Sequence, residues 1–154
     1  MKKNLLFIVL TILSLSASAQ PKETVAILGD SYSTFEGYNT PDTMEMWYFQ
    51  KQDLRRTDVS NVRQTWWWQV VNDGGYKLGI NNSWSGATIC NTSYNDRDES
   101  YKSFLRRMDA LGTPDIILIF GGTNDAWAHA PLGNYQYDNI RMADQFYFRP
   151  ALAF

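Results

Sequence analysis

The chain has 154 residues, sets 14 Lys and Arg against 16 Asp and Glu for a net charge of −2, and contains a single cysteine. That length supports one domain, and a charge without a basic block leaves no footprint for nucleic acid or an anionic membrane surface. One cysteine excludes an internal disulfide, so a packed core must hold the fold.

At the N-terminus, Lys2 and Lys3 precede an apolar run over residues 5–15, broken only by Thr11 and Ser14, and Ala17-Ser18-Ala19 follows as a small-x-small cleavage site. This is the layout of a cleavable export signal, whereas a membrane-spanning helix needs about 20 apolar residues. Residues 1–19 are therefore expected to be removed, leaving a secreted or periplasmic domain over residues 20–154 with no membrane span. Loss of the two lysines makes that domain more acidic.

Residues 24–28 form an apolar, partly β-branched run that predicts a first strand ending at Gly29-Asp30-Ser31. A long irregular segment, 38–64, contains Pro41 and the cluster Trp47-Tyr48-Phe49. Long loops in compact domains are usually functional, and such aromatics either offer flat surfaces to a ligand or anchor the loop to the core. Thr65 reads as the N-cap of a helix through Trp66, Trp67, Trp68, Val70 and Val71, stopped by Asp73-Gly74-Gly75.

Residues 76–82 predict a second, less apolar strand leading into Ser83-Trp84-Ser85-Gly86. After a polar stretch, the spacing of Tyr101, Phe104, Leu105 and Met108 predicts a helix over about 99–111, ended by Gly112-Thr113-Pro114. Residues 116–120 are continuously apolar, as in a strand buried on both faces of a parallel sheet. A last helix is expected from about Tyr137 to the apolar end at Phe154.

Strands alternating with helices indicate an α/β fold around a parallel sheet. So apolar a strand as 116–120 is expected at the centre of such a sheet, with neighbours on both sides. Since only two strands precede it, the natural domain is expected to continue past Phe154.

Three loops follow the predicted strands, and ligands of open α/β sheets bind beyond the carboxyl ends of their strands. Ser31 sits on a Gly-Asp-Ser turn that lifts a hydroxyl to the sheet edge, where a base could activate it; its alternative role is to cap the next helix. Gly86 can present a backbone N–H at close range because no side chain blocks the approach, or it simply makes a turn. Asn124, beside Gly121-Gly122, offers an amide donor or an Asx-turn. Asp125 has a backbone-bonding or capping role and no chemical step. The loops would converge on one rim, as acyl transfer requires of a nucleophile and its oxyanion donors. Cys90, after Thr88-Ile89, reads as a small buried hydrophobe rather than a reactive thiol.

Gly29-Asp30-Ser31-Tyr32-Ser33, Ser85-Gly86 and Gly122-Thr123-Asn124-Asp125 together resemble the first three blocks of the SGNH/GDSL hydrolase family, over nearly all of residues 25–154. The resemblance implies a three-layer α/β/α sandwich with a flavodoxin-like parallel sheet, here incomplete at the C-terminus. It also implies Ser31 as nucleophile and an oxyanion hole made of the Ser31 N–H, Gly86 and Asn124. The implied activity is hydrolysis of carboxylic esters, including acetyl groups on carbohydrates, with no metal or other cofactor.

The family's final Asp-x-x-His block is missing, and the only histidine is His129. To stand in as base it would have to reach Ser31 and be oriented by Asp125 or Asp138. Without a triad member, a serine hydrolase keeps only about 10³–10⁴-fold catalysis over water, so impaired turnover is expected, in a fragment of a longer enzyme or a decayed copy. Two alternatives are a non-catalytic glycan-binding remnant of the same fold and a nucleotide or flavin binder. The second lacks both G-x-x-x-x-G-K-[ST] and G-x-G-x-x-G.

Overall fold

The computed structural model describes residues 21–51 and 57–154. The expected signal, 1–19, lies outside the described residues. Among the described residues there are five strands: β1 (Thr24–Gly29), β2 (Lys77–Ser83), β3 (Thr92–Ser93), β4 (Arg97–Asp98) and β5 (Ile116–Phe120). The same residues form the short helices α1 (Trp66–Asp73), α2 (Phe104–Arg107), α3 (Thr123–Trp127) and α4 (Phe148–Ala153). No described helix is long and apolar enough to cross a membrane.

β1 lies at the centre of a parallel sheet in the order β2-β1-β5, and β3 and β4 pair separately as a small antiparallel ribbon. Alternation along a strand sends successive side chains to opposite faces, and β1 uses both. Val25 and Ile27 pack with Phe35, Tyr48, Trp67 and Val71, placing α1 on that face. Ala26 and Leu28 pack with Ala87, Ile89, Cys90, Phe104 and Ala151, placing α2 and α4 on the other. The result is three layers. The chain leaves β1 for β2 through α1 and returns past β1 to β5 through α2, so the winding reverses around β1, where open α/β sheets bind their ligands.

The strand ends are level. Gly29 pairs with Ser83 on one side and Phe120 on the other. On the β2 side this alignment depends on a bulge: Val25 pairs with Leu78 but Ile27 with Asn81, so β2 carries one extra residue around Gly79-Ile80.

Among the described residues β5 stands at the edge of the sheet. Its Ile116 and Leu118 pack toward Trp67, but Ile117 is 49% and Ile119 64% exposed.

The helix expected over 99–111 is broken into a 3₁₀ turn (Ser100–Lys102), the single turn of α2 and another 3₁₀ turn (Met108–Ala110). Ser103 interrupts it, with extended backbone and a side chain that accepts the Arg106 N–H and donates to Asn91 Oδ1 at 2.8 Å. The buried face differs too: Tyr101 and Met108 are exposed, while Lys102 and Arg107 are buried with Phe104.

The last helix starts at Phe148 rather than near Tyr137, after a 3₁₀ turn over Met142–Phe146. Pro150 is tolerated in the first turn of a helix but not in its interior, so a helix running in from Tyr137 is excluded. Thr65 does precede α1, yet its hydroxyl donates back to the Val62 carbonyl at 2.7 Å; the capping box lies one turn earlier, between Asn61 and Gln64. In the long loop, Tyr48 is buried in the core and Trp47 packs beside it.

Candidate active site

At the end of β1, a methyl group on Gly29 would run into the side chains of Ser33 and Ser83. Only glycine lets the chain turn so tightly there. Asp30 then caps the 3₁₀ turn Ser31–Ser33, its Oδ1 accepting the Tyr32 N–H at 3.1 Å. Capping thus falls to Asp30. Ser31 opens the turn half-buried, and its hydroxyl has no hydrogen-bond partner among the described residues.

Neighbouring side chains hold this turn in place. Asn81 Nδ2 donates to the Ser33 carbonyl at 2.9 Å, and Trp66 Nε1 donates to Ser33 Oγ at 3.1 Å. Asn39 accepts the Phe35 N–H at 2.9 Å and donates to the Ser83 carbonyl at 2.6 Å.

The three loops are bonded to one another at the level strand ends. The Trp84 N–H donates to the Gly29 carbonyl at 3.1 Å, and the Asp30 N–H to the Phe120 carbonyl at 3.3 Å. Asn124, itself buried, donates through Nδ2 to the Ala87 carbonyl at 2.9 Å, and its Oδ1 accepts from the Tyr94 hydroxyl at 3.1 Å. Asp125 accepts the Ile89 N–H at 2.8 Å and the Cys90 N–H at 3.1 Å, the backbone role expected of it. Gly86, half-buried between them, has φ +77°, in the left-handed region that glycine adopts without strain.

Buried charge surrounds this rim. Arg107 donates to the Gly29 carbonyl at 3.1 Å, to the Lys102 carbonyl at 2.8 Å and to the Asn82 carbonyl, with its guanidinium over the Phe104 ring. Burial pulls its pKa down to about 10, against the pull of Asp30. Burial also pushes the Asp30 carboxyl up to about 6, opposed by the Tyr32 N–H and Arg107. Asp30 Oδ2 is buried without a hydrogen-bond partner.

Lys102 Nζ pairs with Glu99 at 2.8 Å close to Gly86, within 3.5 Å of where a Cβ on that glycine would stand. Cys90 is buried, and burial raises its thiol to about 12, so it carries no thiolate at neutral pH.

Residues 23–154 match the family described as GDSL-like Lipase/Acylhydrolase. The chain belongs to that family. It is 54% identical to a protein described as a GDSL-like lipase from Bacteroides ovatus ATCC 8483, whose crystal structure it matches with a TM-score of 0.84 over 87% of this chain and 64% of that one. A second such protein, from Bacteroides uniformis ATCC 8492, is 48% identical, with a TM-score of 0.81 over 87% of this chain and 63% of that one. The GDSL-like chain therefore spans a little under two thirds of these relatives. Among curated proteins none matches it.

The remaining histidine of this GDSL-like chain is not set against the nucleophile position. His129 is exposed, with φ 54°, and lines a cavity with Gly122, Asp125, Ala126, Leu132 and Phe148 that Ser31 does not line. Both Asp125 oxygens are engaged by backbone N–H groups, so that carboxyl does not orient His129. Among the described residues, no three His, Cys, Asp or Glu side chains gather as a metal would require.

Three residues at the rim went unrecognised in the sequence: Tyr94, Lys102 and Arg107. The one available signal was the polar run Asn81-Asn82-Ser83 closing a strand, since buried polar groups at a strand's carboxyl end mark hydrogen bonding to the loops beyond.

Proposed function

We propose that this GDSL-like chain carries the nucleophile and oxyanion hole of an exported serine ester hydrolase. Ser31 attacks the carbonyl carbon of a carboxylic ester. The oxygen that becomes negative is held by the Ser31 N–H, the Gly86 N–H and the Asn124 amide. Acetyl groups on a carbohydrate are the substrate we favour, given the export signal expected at residues 1–19.

The observation that carries this reading is the mutual bonding of the three loops. Gly29 to Trp84, Asp30 to Phe120 and Asn124 to Ala87 tie them at one rim. Ser31 is left with an unbonded hydroxyl, and Asn124 with an unbonded second N–H, among the described residues. Preorganised donors of this kind supply the largest single part of such catalysis, about 10²–10³-fold each.

No Asp-x-x-His occurs in these 154 residues, so the chain on its own turns over slowly, at the level that binding and the oxyanion hole sustain. The test is hydrolysis of a small chromogenic acetate ester. The parent chain should exceed the buffer rate and Asn124→Ala should lower that excess by about 10²-fold, while a serine-directed phosphonate ester should label the parent but not Ser31→Ala; unchanged turnover in Asn124→Ala removes the oxyanion hole, and equal labelling removes Ser31 from its role. The missing block also suits a glycan-binding remnant, which would bind sugars saturably, survive Ser31→Ala and show no ester turnover. Export is tested by the N-terminus of protein recovered outside the cytoplasm, expected at Gln20.

A further inference from the structure

The geometry points to Tyr94 as a positioning residue of the oxyanion site, one that acts by locking the Asn124 carboxamide; the inference rests on the role proposed for Asn124. A side-chain amide can flip, exchanging a donor for an acceptor at nearly the same place. Two contacts remove that freedom here. The Ala87 carbonyl, 2.9 Å from Asn124 Nδ2, can only accept, so the NH₂ group must face it. Oδ1 is thereby turned toward the Tyr94 hydroxyl at 3.1 Å, which must donate. With one N–H spent on Ala87, the other has a single direction left. Donation into Oδ1 also polarises the amide and strengthens whatever bond that second N–H makes.

Tyr94 is itself held firmly. It leaves β3 at the turn into β4, where Asn95 and Asp96 both take left-handed backbone, φ 59° and 54°. The ribbon is bound on its flank by Thr92 Oγ1, which donates to the Phe146 carbonyl at 2.8 Å, and by the Asn91 N–H, which donates to the Gln145 carbonyl at 2.9 Å. Partial burial, with Asp125, Asp30 and Glu99 nearby, raises the phenol above its ordinary value against the opposing pull of Lys102, keeping it a donor at neutral pH.

The test uses the whole chain and methylboronic acid, which needs no general base to report the site. Ser31 Oγ adds to the trigonal boron and its proton passes to buffer, leaving a tetrahedral boronate anion, formally negative at boron, with a hydroxyl oxygen where the oxyanion would form. Affinity is read by calorimetry and boron NMR for the parent, Tyr94→Phe, Asn124→Ala and the double variant. Tyr94→Phe should weaken the adduct roughly tenfold, as the loss of one hydrogen bond predicts, and should broaden or shift the Asn124 side-chain amide signals. In the Asn124→Ala background it should change nothing further.

An equal loss from Tyr94→Phe in both backgrounds would overturn the inference, as would no loss in the parent while Ser31→Ala abolishes the adduct and Asn124→Ala weakens it. Boronate binding that survives both Ser31→Ala and Asn124→Ala would overturn the underlying site assignment, and the role of Tyr94 with it.

Discussion

Replacing Asp125 tests whether the second and third loops form one unit. The carboxyl is buried and accepts the N–H groups of Ile89 at 2.8 Å and Cys90 at 3.1 Å. In Asp125→Ala both donors are stranded in a dry site, at about 1–3 kcal/mol each. Burial raises the Asp125 pKa against the pull of those N–H groups, so the carboxyl is held at a cost that its removal partly returns. The expected net loss is roughly 2–4 kcal/mol, a large share of the ~5–15 kcal/mol that stabilises a typical domain. Asp125→Asn keeps one acceptor oxygen and should lose about half as much. Urea unfolding followed by tryptophan fluorescence measures both, with the slope unchanged if only stability moves. An alanine variant within about 0.5 kcal/mol of the parent, or an asparagine variant as damaged as alanine, would refute the reasoning.

Asp30 gives a pH dependence. Its folded value near 6 lies above the ordinary 3.8, so between those values the native state keeps a proton the unfolded chain has lost. Asp30 should therefore contribute a fall in stability of roughly 3 kcal/mol as pH rises from about 4 to 6, read as the change over that range in the difference between the urea midpoints of the parent and of Asp30→Asn. Gly86→Ala forces a Cβ into left-handed backbone, and urea titration should find it about 1–2 kcal/mol less stable. Ile119→Lys, at a position 64% exposed, should cost less than about 0.5 kcal/mol while reducing any self-association seen by light scattering.

The parts of the fold that were legible in advance are those set by local chain chemistry. β1 reads directly because its apolar run stops at a glycine that cannot be anything larger, and α1 because Asp73-Gly74-Gly75 ends it. Residues 99–111 did not, because the break at Ser103 and the inward turn of Arg107 depend on Asn91 and on the carbonyls of Gly29 and Asn82, all remote in sequence.

The meeting of three loops followed from the rule that parallel strands deliver their loops to one edge. Tyr94 gave no such signal, since a tyrosine in a polar stretch acquires meaning only when the ribbon folds over Asn124.

The bulge in β2 has a further consequence. Side chains alternate in direction, so its one extra residue determines that Asn81 turns toward Ser33 while Asn82 turns its amide to the Arg107 carbonyl. Deleting Gly79 would keep the composition of the strand end almost intact yet exchange those two asparagines between layers. The brace under the Ser31 turn and the bond to the Arg107 carbonyl would then be lost in a single step. The long segment before α1 enters no such parity, so changes of length are better accommodated there than anywhere inside the three parallel strands.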